Sequence, residues 1–237
     1  MIYARDLAYI HHAGFGDFAR RAAPGVLRLL RQRGIGHGLI VDIGCGSGIL
    51  AAELTRAGYA VHGIDRSSAM IRLAREVAPA ATFKRGSFDS VPVPRCDAVT
   101  ALGEVFGYAG SAPRPRLPSL FRRVAKALRP GGLFVFDVLV RGGRAPMRYR
   151  TWTASEEWAV LVDVDEDIRR GRVQRDITTF RQDGGCFRRH RERHLLYVMD
   201  ADSLRTQLRT AGFSVRTSRH YGPCALARRR LAFICDL

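Results

Sequence analysis

Asp42, glycines at alternate positions 44, 46 and 48, and a second carboxylate at Asp65 are the residues whose spacing first points to chemistry. The glycines follow the apolar run Leu39-Ile40-Val41 and precede the helical pattern Ile49-Leu50-Ala51-Ala52-Glu53-Leu54, so the stretch reads as strand, tight turn, helix. At the carboxyl end of a strand, such a turn lets backbone approach a ligand, and the following helix amino terminus favours polar or anionic groups. A nucleotide-like cofactor is the natural occupant. The dinucleotide fingerprint G-x-G-x-x-G requires glycine or alanine at position 49, where Ile49 stands, and the third glycine arrives one position early at Gly48. About twenty residues past the first glycine, the strand Tyr59–Ile64 ends in Asp65, where a carboxylate can accept hydrogen bonds from ribose hydroxyls.

Three further residues could move or hold a proton. In His190-Arg191-Glu192-Arg193-His194 a regular strand places both histidines on one face, and either could take a proton from an acceptor near neutrality. A purely structural role for each remains open. Glu104, just past the strand Cys96–Leu102, could orient a substrate amine or cap the next helix. The cysteines at 45, 96, 186, 224 and 235 show no metal-ligand spacing, so free thiols and no structural zinc are expected.

The elements that must position these residues follow a βαβα rhythm, which predicts parallel strands and right-handed crossovers. Ser67 is expected to cap the helix 68–77 and Asp200 the helix 201–208, while Pro24 is expected to start a new helix within residues 18–30. A proline-and-arginine loop spans 113–118. From Gly142 to Met199 the rhythm changes to alternating stretches, 158–162, 173–180 and 195–199, separated by Gly-containing turns, which predict antiparallel strands. Phe213–Arg219 and Leu231–Cys235 are expected to form a closing antiparallel hairpin.

The chain has 237 residues, enough for one α/β domain with a small appendage. No apolar run has transmembrane length and the start lacks secretory features, so a cytoplasmic protein is expected. A net charge of +17 invites a nucleic-acid reading. The arginines are spread along the chain beside acids, however, which fits a solvated surface. The runs Arg188–Arg193 and Arg228–Arg230 are the best sites for an acidic substrate or an RNA backbone, and they form no recognisable RNA module.

On Asp42, Gly44, Gly46 and Gly48, with Leu128-Arg129-Pro130-Gly131-Gly132 ahead of a fifth strand, the chain resembles the class I S-adenosylmethionine-dependent methyltransferases. The resemblance is close over residues 39–138 and looser in the flanks. It implies a Rossmann-like, seven-stranded, mostly parallel sheet, with a small antiparallel β insertion after strand 5. Residues 1–38 would form a helical lid, 39–141 and 200–237 the core, and 142–199 the insertion covering the active site.

The resemblance also implies S-adenosylmethionine as cofactor and S-adenosylhomocysteine as product. Asp42, Gly44, Cys45, Gly46 and Gly48 would face the cofactor's amino acid and ribose, Asp65 and Arg66 its ribose, and Leu102 and Gly103 its donor end. Ser87 stands where relatives carry an acid facing the adenine, with Phe88 against the purine. Tyr9, His12 and Phe15 are lid residues, Tyr9 toward the cofactor and the other two toward the substrate, together with Tyr108 and Tyr197. Glu104, His190 and His194 are the catalytic candidates, and no metal is expected.

The N/D-P-P-Y/F sequence usual in enzymes that methylate amino groups of DNA bases is absent. The expected reaction is therefore methyl transfer to nitrogen or oxygen of a small molecule, with a homodimer as a possible assembly. An RNA or protein methyltransferase using the arginine clusters, or a non-catalytic cofactor-binding protein, is the alternative.

Overall fold

The computed structural model describes residues 2–108, 117–142 and 145–237. Two helices come first, α1 (Arg5–Phe15) and α2 (Asp17–Gln32), followed by β1 (Leu39–Ile43), α3 (Ile49–Arg56), β2 (Ala60–Asp65), α4 (Ser68–Val77), β3 (Thr82–Arg85) and β4 (Cys96–Ala101). Next come α5 (Leu117–Ala127) and β5 (Leu128–Leu139), and then four strands without a helix: β6 (Arg148–Ala154), β7 (Trp158–Asp167), β8 (Arg172–Asp183) and β9 (Cys186–Tyr197). The chain closes with α6 (Ala201–Thr210), β10 (Ser214–Ser218), β11 (His220–Tyr221), β12 (Cys224–Ala225) and β13 (Arg230–Asp236). Of the expected proline-and-arginine loop, residues 113–116 lie outside the described residues. Pro118 sits in the first turn of α5, where a missing N–H costs nothing.

Seven strands form one sheet in the order β10-β13-β5-β4-β1-β2-β3. The pairs β3–β2, β2–β1, β1–β4 and β4–β5 are parallel, and β13 runs antiparallel to both β5 and β10. The fold expected from sequence is therefore the one observed. The order reverses between β1 and β4, which opens a crevice at their carboxyl ends. Between β10 and β13 the chain forms the small β11–β12 ladder, so the two strands are not joined by a tight turn. The Leu128–Gly132 segment is an irregularity inside β5: Cys96 pairs with Leu128, and the register then shifts so that Ala98 pairs with Leu133.

Each face of the sheet is covered. On one side Phe121 of α5 and Leu204 and Leu208 of α6 pack on Phe134, Phe136 and Phe233. Phe136 and Phe233, opposite each other on β5 and β13, stack at 5.0 Å. Each such ring contributes roughly 1.5–3 kcal/mol on leaving water. The other face takes α2 and α3 through Val26, Leu30, Leu50 and Leu54.

Pro24 does not begin a helix; it lies inside α2. An interior proline costs about 3 kcal/mol, and the burial of Ala22, Ala23, Val26 and Leu30 against the sheet offsets it. The break falls instead at Gly16, between α1 and α2. Next to the proline, a Cβ built on Gly25 would lie 2.2 Å from the Tyr221 carbonyl carbon. Gly25→Ala is therefore expected to cost about 1–3 kcal/mol of stability through backbone displacement. The check is a lower urea midpoint at unchanged slope.

The strands β6 to β9 form a separate four-stranded antiparallel sheet. Its inner face, with Trp158, Val160 and Ile177, packs on Leu7 and Ile10 of α1. The strand β6 had no counterpart in the sequence reading because it is an exposed edge, with Arg148 and Arg150 paired to Asp165 and Asp163 across to β7. The first half of β9 was hidden in the same way by its charged residues. This sheet meets the core through the bridges Val140↔Met199 and Tyr108↔Leu196. Among the described residues no helix is long and apolar enough to cross a membrane, and all five cysteines are free thiols.

Candidate functional site

A cavity of about 500 Å³ opens at the carboxyl ends of β1, β2 and β4 and is roofed by α1 and by the inner face of the β6–β9 sheet. Its floor is the glycine turn, where Gly44, Gly46 and Gly48 have φ of 69°, 53° and 77°, values that favour glycine at each position. Gly44 and Cys45 donate their N–H groups to the Ile64 carbonyl at 2.7 and 3.1 Å, tying the turn to β2. A Cβ on Gly44 would meet Val105 at 2.5 Å and one on Gly48 would meet Ala74 at 2.9 Å, whereas one on Gly46 would meet nothing within 4 Å. Close packing thus requires the first and third glycines, while the second faces open space.

Asp65 ends β2 beside this turn. Its Oδ2 accepts from Gly46 N–H at 3.0 Å and its Oδ1 from Ser67 N–H at 2.8 Å. Burial raises its pKa while these hydrogen bonds pull the other way. Ser67 caps α4 as expected, accepting from Met70 N–H at 3.1 Å, and donates its hydroxyl to the Tyr3 carbonyl.

Asp42 lies under the turn and accepts from the Thr100 hydroxyl at 2.7 Å. Burial pushes its carboxyl up to about 7, opposed by that hydrogen bond and reinforced by the charge of Asp65. An acid whose folded pKa exceeds its unfolded one loses stability as pH rises between the two values, here from 3.8 to about 7. Asp42→Asn is expected to flatten the dependence of Tm on pH across that interval; curves that stay parallel to wild type would rule the group out as their source.

At the end of β4 the chain turns sharply. Gly103 has φ 97° and a Cβ there would meet nothing within 4 Å; Glu104 follows with φ 63°, a strained value for a side-chain-bearing residue. Asp137 of β5 holds both, accepting from Gly103 N–H at 2.9 Å and Glu104 N–H at 3.0 Å. Fully buried, it also accepts from the Tyr221 hydroxyl at 3.2 Å and from Arg230 at 2.6 Å. The Glu104 side chain is clamped between Arg175 Nη2 at 2.9 Å and Arg230 Nε at 3.7 Å. The Glu104 side chain makes no cap hydrogen bond to the short turn that follows, so it is not the cap; its carboxylate is engaged with two arginines at the cavity wall.

The opposite end of the cavity is aromatic. Tyr3 and Tyr108 join hydroxyls at 2.9 Å, and both rings pack on the imidazole of His194, at 4.9 and 5.7 Å. His194 Nε2 lies 2.9 Å from Glu192 Oε2, and Glu192 Oε1 accepts from Ala4 N–H at 2.8 Å. Burial of Glu192 opposes its ionisation, but the hydrogen bonds from His194 and the Ala4 N–H prevail, holding its carboxyl below the usual range. His11, edge-on to Tyr3 at 5.1 Å, is driven by burial to a pKa of about 4 and is neutral near pH 7.

The cavity brings together Asp42, Gly44, Cys45, Gly46, Asp65 and Arg66 at the turn. Phe88, Leu102, Gly103, Glu104, Tyr108 and His194 stand around it, with Phe15 at the rim. Gly48 lies behind the turn. His12 reaches the turn from α1, its Nδ1 3.0 Å from the Ser47 hydroxyl. Ser87 faces Asp89 at 3.3 Å instead of the cavity. Tyr9 donates to Glu157 at 2.8 Å under the Arg181 guanidinium, and Tyr197 is buried in the core next to Arg172. His190 shares the Glu192 face with His194, as the strand alternation requires, but is half exposed and 3.9 Å from Glu192 Oε1.

Sequence reasoning missed Tyr3, His11, Asp137, Arg175 and Glu192, and it noticed Arg230 only within a run read as a site for an acidic substrate or RNA. Arg175 carried no signal among 39 basic residues. Asp137 is the one charged residue in the apolar run Leu133–Leu139 of β5, and a carboxylate inside such a run was the available hint.

Residues 10–218 match a family model described as a methyltransferase domain. A protein of Geobacillus sp. (strain WCH70), named as a methyltransferase, is 28% identical over 209 residues, 80% of each chain. A ubiquinone biosynthesis O-methyltransferase of Methylobacterium sp. (strain 4-46) is 37% identical over 151 residues, covering 61% of this chain and 53% of that protein. The chain thus spans about half the length of that second relative. Among solved structures, the S-adenosylmethionine-bound amino pentose methyltransferase CalS10 from Micromonospora echinaspora superposes with a TM-score of 0.76 at 18% identity, covering 96% of both chains.

Proposed function

Because the chain belongs to the methyltransferase-domain family and has the class I S-adenosylmethionine-dependent fold, we propose that it methylates a small molecule held between the strand ends and the antiparallel sheet. The observation that carries this reading is a single continuous cavity running from the glycine turn to the inner face of the β6–β9 sheet.

The residues present fit an adenosyl cofactor. Gly46 and Gly103, at the two strand ends, each leave the volume of a side chain free on the cavity side. Asp65 uses one lone pair of each oxygen on backbone N–H groups and keeps others for ribose hydroxyls. Gly86 and Phe88 would bound the purine, with Ser87 withdrawn toward Asp89. The backbone of Leu102 and Gly103 would face the amino-acid end.

When bound, the sulfonium supplies an already activated methyl group. What remains for this chain is to align the acceptor behind that group and to keep water out. Alignment falls to the rigid Glu104–Asp137–Arg230 turn and to the Tyr3, Tyr108 and His194 wall. Exclusion of water falls to α1, which is fastened by Asp6 to Arg188 at 2.8 Å and by His12 to the glycine turn.

Several arginines that suggested a nucleic-acid surface are paired with carboxylates, as in Arg193 with Asp176 and Arg148 with Asp165. Together with the enclosed cavity, this favours a small acceptor over RNA. Titration calorimetry with S-adenosylhomocysteine tests the proposal: one binding site is expected, and folded protein giving no heat with either this product or the donor would reject it.

A further inference from the structure

The roof of the cavity carries a stripe with one polar member. Leu7, His11 and Phe15 recur at four-residue spacing in α1, so they share one helical face, and all three line the cavity. The Tyr3 ring, just ahead of the helix, lies edge-on to His11 at 5.1 Å, and the Phe15 ring lies 6.1 Å from it. Val160, Val162 and Ile177 of the inserted sheet line the same half. The His11 imidazole is half-buried, and among the described residues neither of its nitrogens has a hydrogen-bond partner or is sealed inside the protein. Burial, with His12 and His194 nearby, drives its pKa to about 4. The ring is therefore neutral near pH 7, with one N–H to donate and one lone pair to accept with.

Resting on the methyltransferase reading, we infer that His11 is a specificity-determining residue: the chamber takes an uncharged aromatic acceptor, and the His11 imidazole hydrogen-bonds a polar substituent on its ring.

The neighbouring polar groups answer to each other. Tyr3 and Tyr108 join hydroxyls at 2.9 Å, Glu104 takes Arg175 at 2.9 Å, and His194 takes Glu192 at 2.9 Å. The charge of Arg175 is thus balanced at Glu104, while His11 is left without a partner. A flat ring suits such walls, since ring faces and edges attract one another and a ring strands no polar atom on the aliphatic side. A sugar would bring hydroxyls on every edge against Leu7, Val162 and Ile177, where each loses water and gains no partner. An ammonium group would find both nearby carboxylates, Glu104 and Glu192, already engaged. With so low a pKa the His11 ring holds a proton weakly near pH 7, so its part is to read and orient the acceptor, not to deprotonate it.

The test is NMR titration of protein saturated with S-adenosylhomocysteine, which leaves the probes the acceptor half of the cavity. The probes are phenol, toluene, benzoate, benzylammonium and D-glucosamine. Phenol is expected to bind more tightly than the two charged rings and the sugar. In His11→Phe, which keeps a flat ring, the ratio of phenol to toluene affinity should fall about 5-fold, the effect of one hydrogen bond, with toluene itself unchanged. His11→Asn, which restores a hydrogen-bonding group, should recover part of the ratio, and thermal melting confirms folding of both. If His11→Phe does not fold, the ranking of the probes on wild type decides. An unchanged ratio in folded His11→Phe, or equal losses for phenol and toluene, would reduce His11 to packing and overturn its assignment. Tighter binding of glucosamine, benzoate or benzylammonium than of phenol would overturn the acceptor class. Calorimetry with S-adenosylhomocysteine keeps the two readings apart: absent heat removes the methyltransferase reading, while the phenol to toluene ratio, measured then on the protein alone, still reports on His11.

Discussion

Asp137→Ala is expected to lower the unfolding free energy by about 3–5 kcal/mol, because it strands a buried guanidinium and two backbone donors at once. The carboxylate is fully buried on β5 and is shared by Gly103 N–H, Glu104 N–H, the Tyr221 hydroxyl and Arg230. With it removed, the left-handed conformation of Glu104 loses its anchor and Arg230 keeps the longer contact to Glu104 at 3.7 Å and its place over the Phe18 ring. Asp137→Asn keeps the shape and loses the charge, so its loss should be smaller. Urea denaturation of both variants measures the difference; an alanine variant as stable as wild type would show that water repairs the gap and that the turn holds itself.

Asp65→Ala is expected to weaken binding of S-adenosylhomocysteine by roughly 10²-fold, the equivalent of about 3 kcal/mol for two hydrogen bonds to a charged acceptor. The variant should fold, with a loss of about 1–3 kcal/mol from the Gly46 and Ser67 N–H groups left without their acceptor. Calorimetry and thermal melting separate the two effects. Unchanged affinity in the folded variant would reject the ribose contact proposed for Asp65, and lost affinity without lost stability would show that its backbone bonds matter little.

The glycine turn was legible in the sequence because its chemistry is local: left-handed backbone at positions 44, 46 and 48 leaves few choices but glycine. The placement of Asp65 was legible for a related reason, since one crossover brings adjacent parallel strands into a fixed register, with Asp42 beside Gly63. The contacts of α1 were not. Residues 1–38 were expected to form a helical lid, but nothing local tells that Leu7, Ala8 and Ile10 bury one helical face against α4 and the inserted sheet, segments far away in the chain. The meeting of Asp137 and Arg230 was beyond reach because it depends on a pairing across 93 residues, whereas Glu192, on the same strand face as His194, was passed over as one charge in a charged strand.

The inserted sheet leaves and rejoins the core at adjacent points, for Val140 and Met199 are bridged to each other. Met199 N–H donates to the Leu139 carbonyl and Arg141 N–H to the Met199 carbonyl, so the doorway closes like a stem below a loop. A different segment spliced between those two residues would leave every register of the parallel strands as it is. Half of the chamber is therefore exchangeable while the half at the glycine turn stays constant, which allows descendants of this scaffold to change what they modify without relearning how to hold the donor.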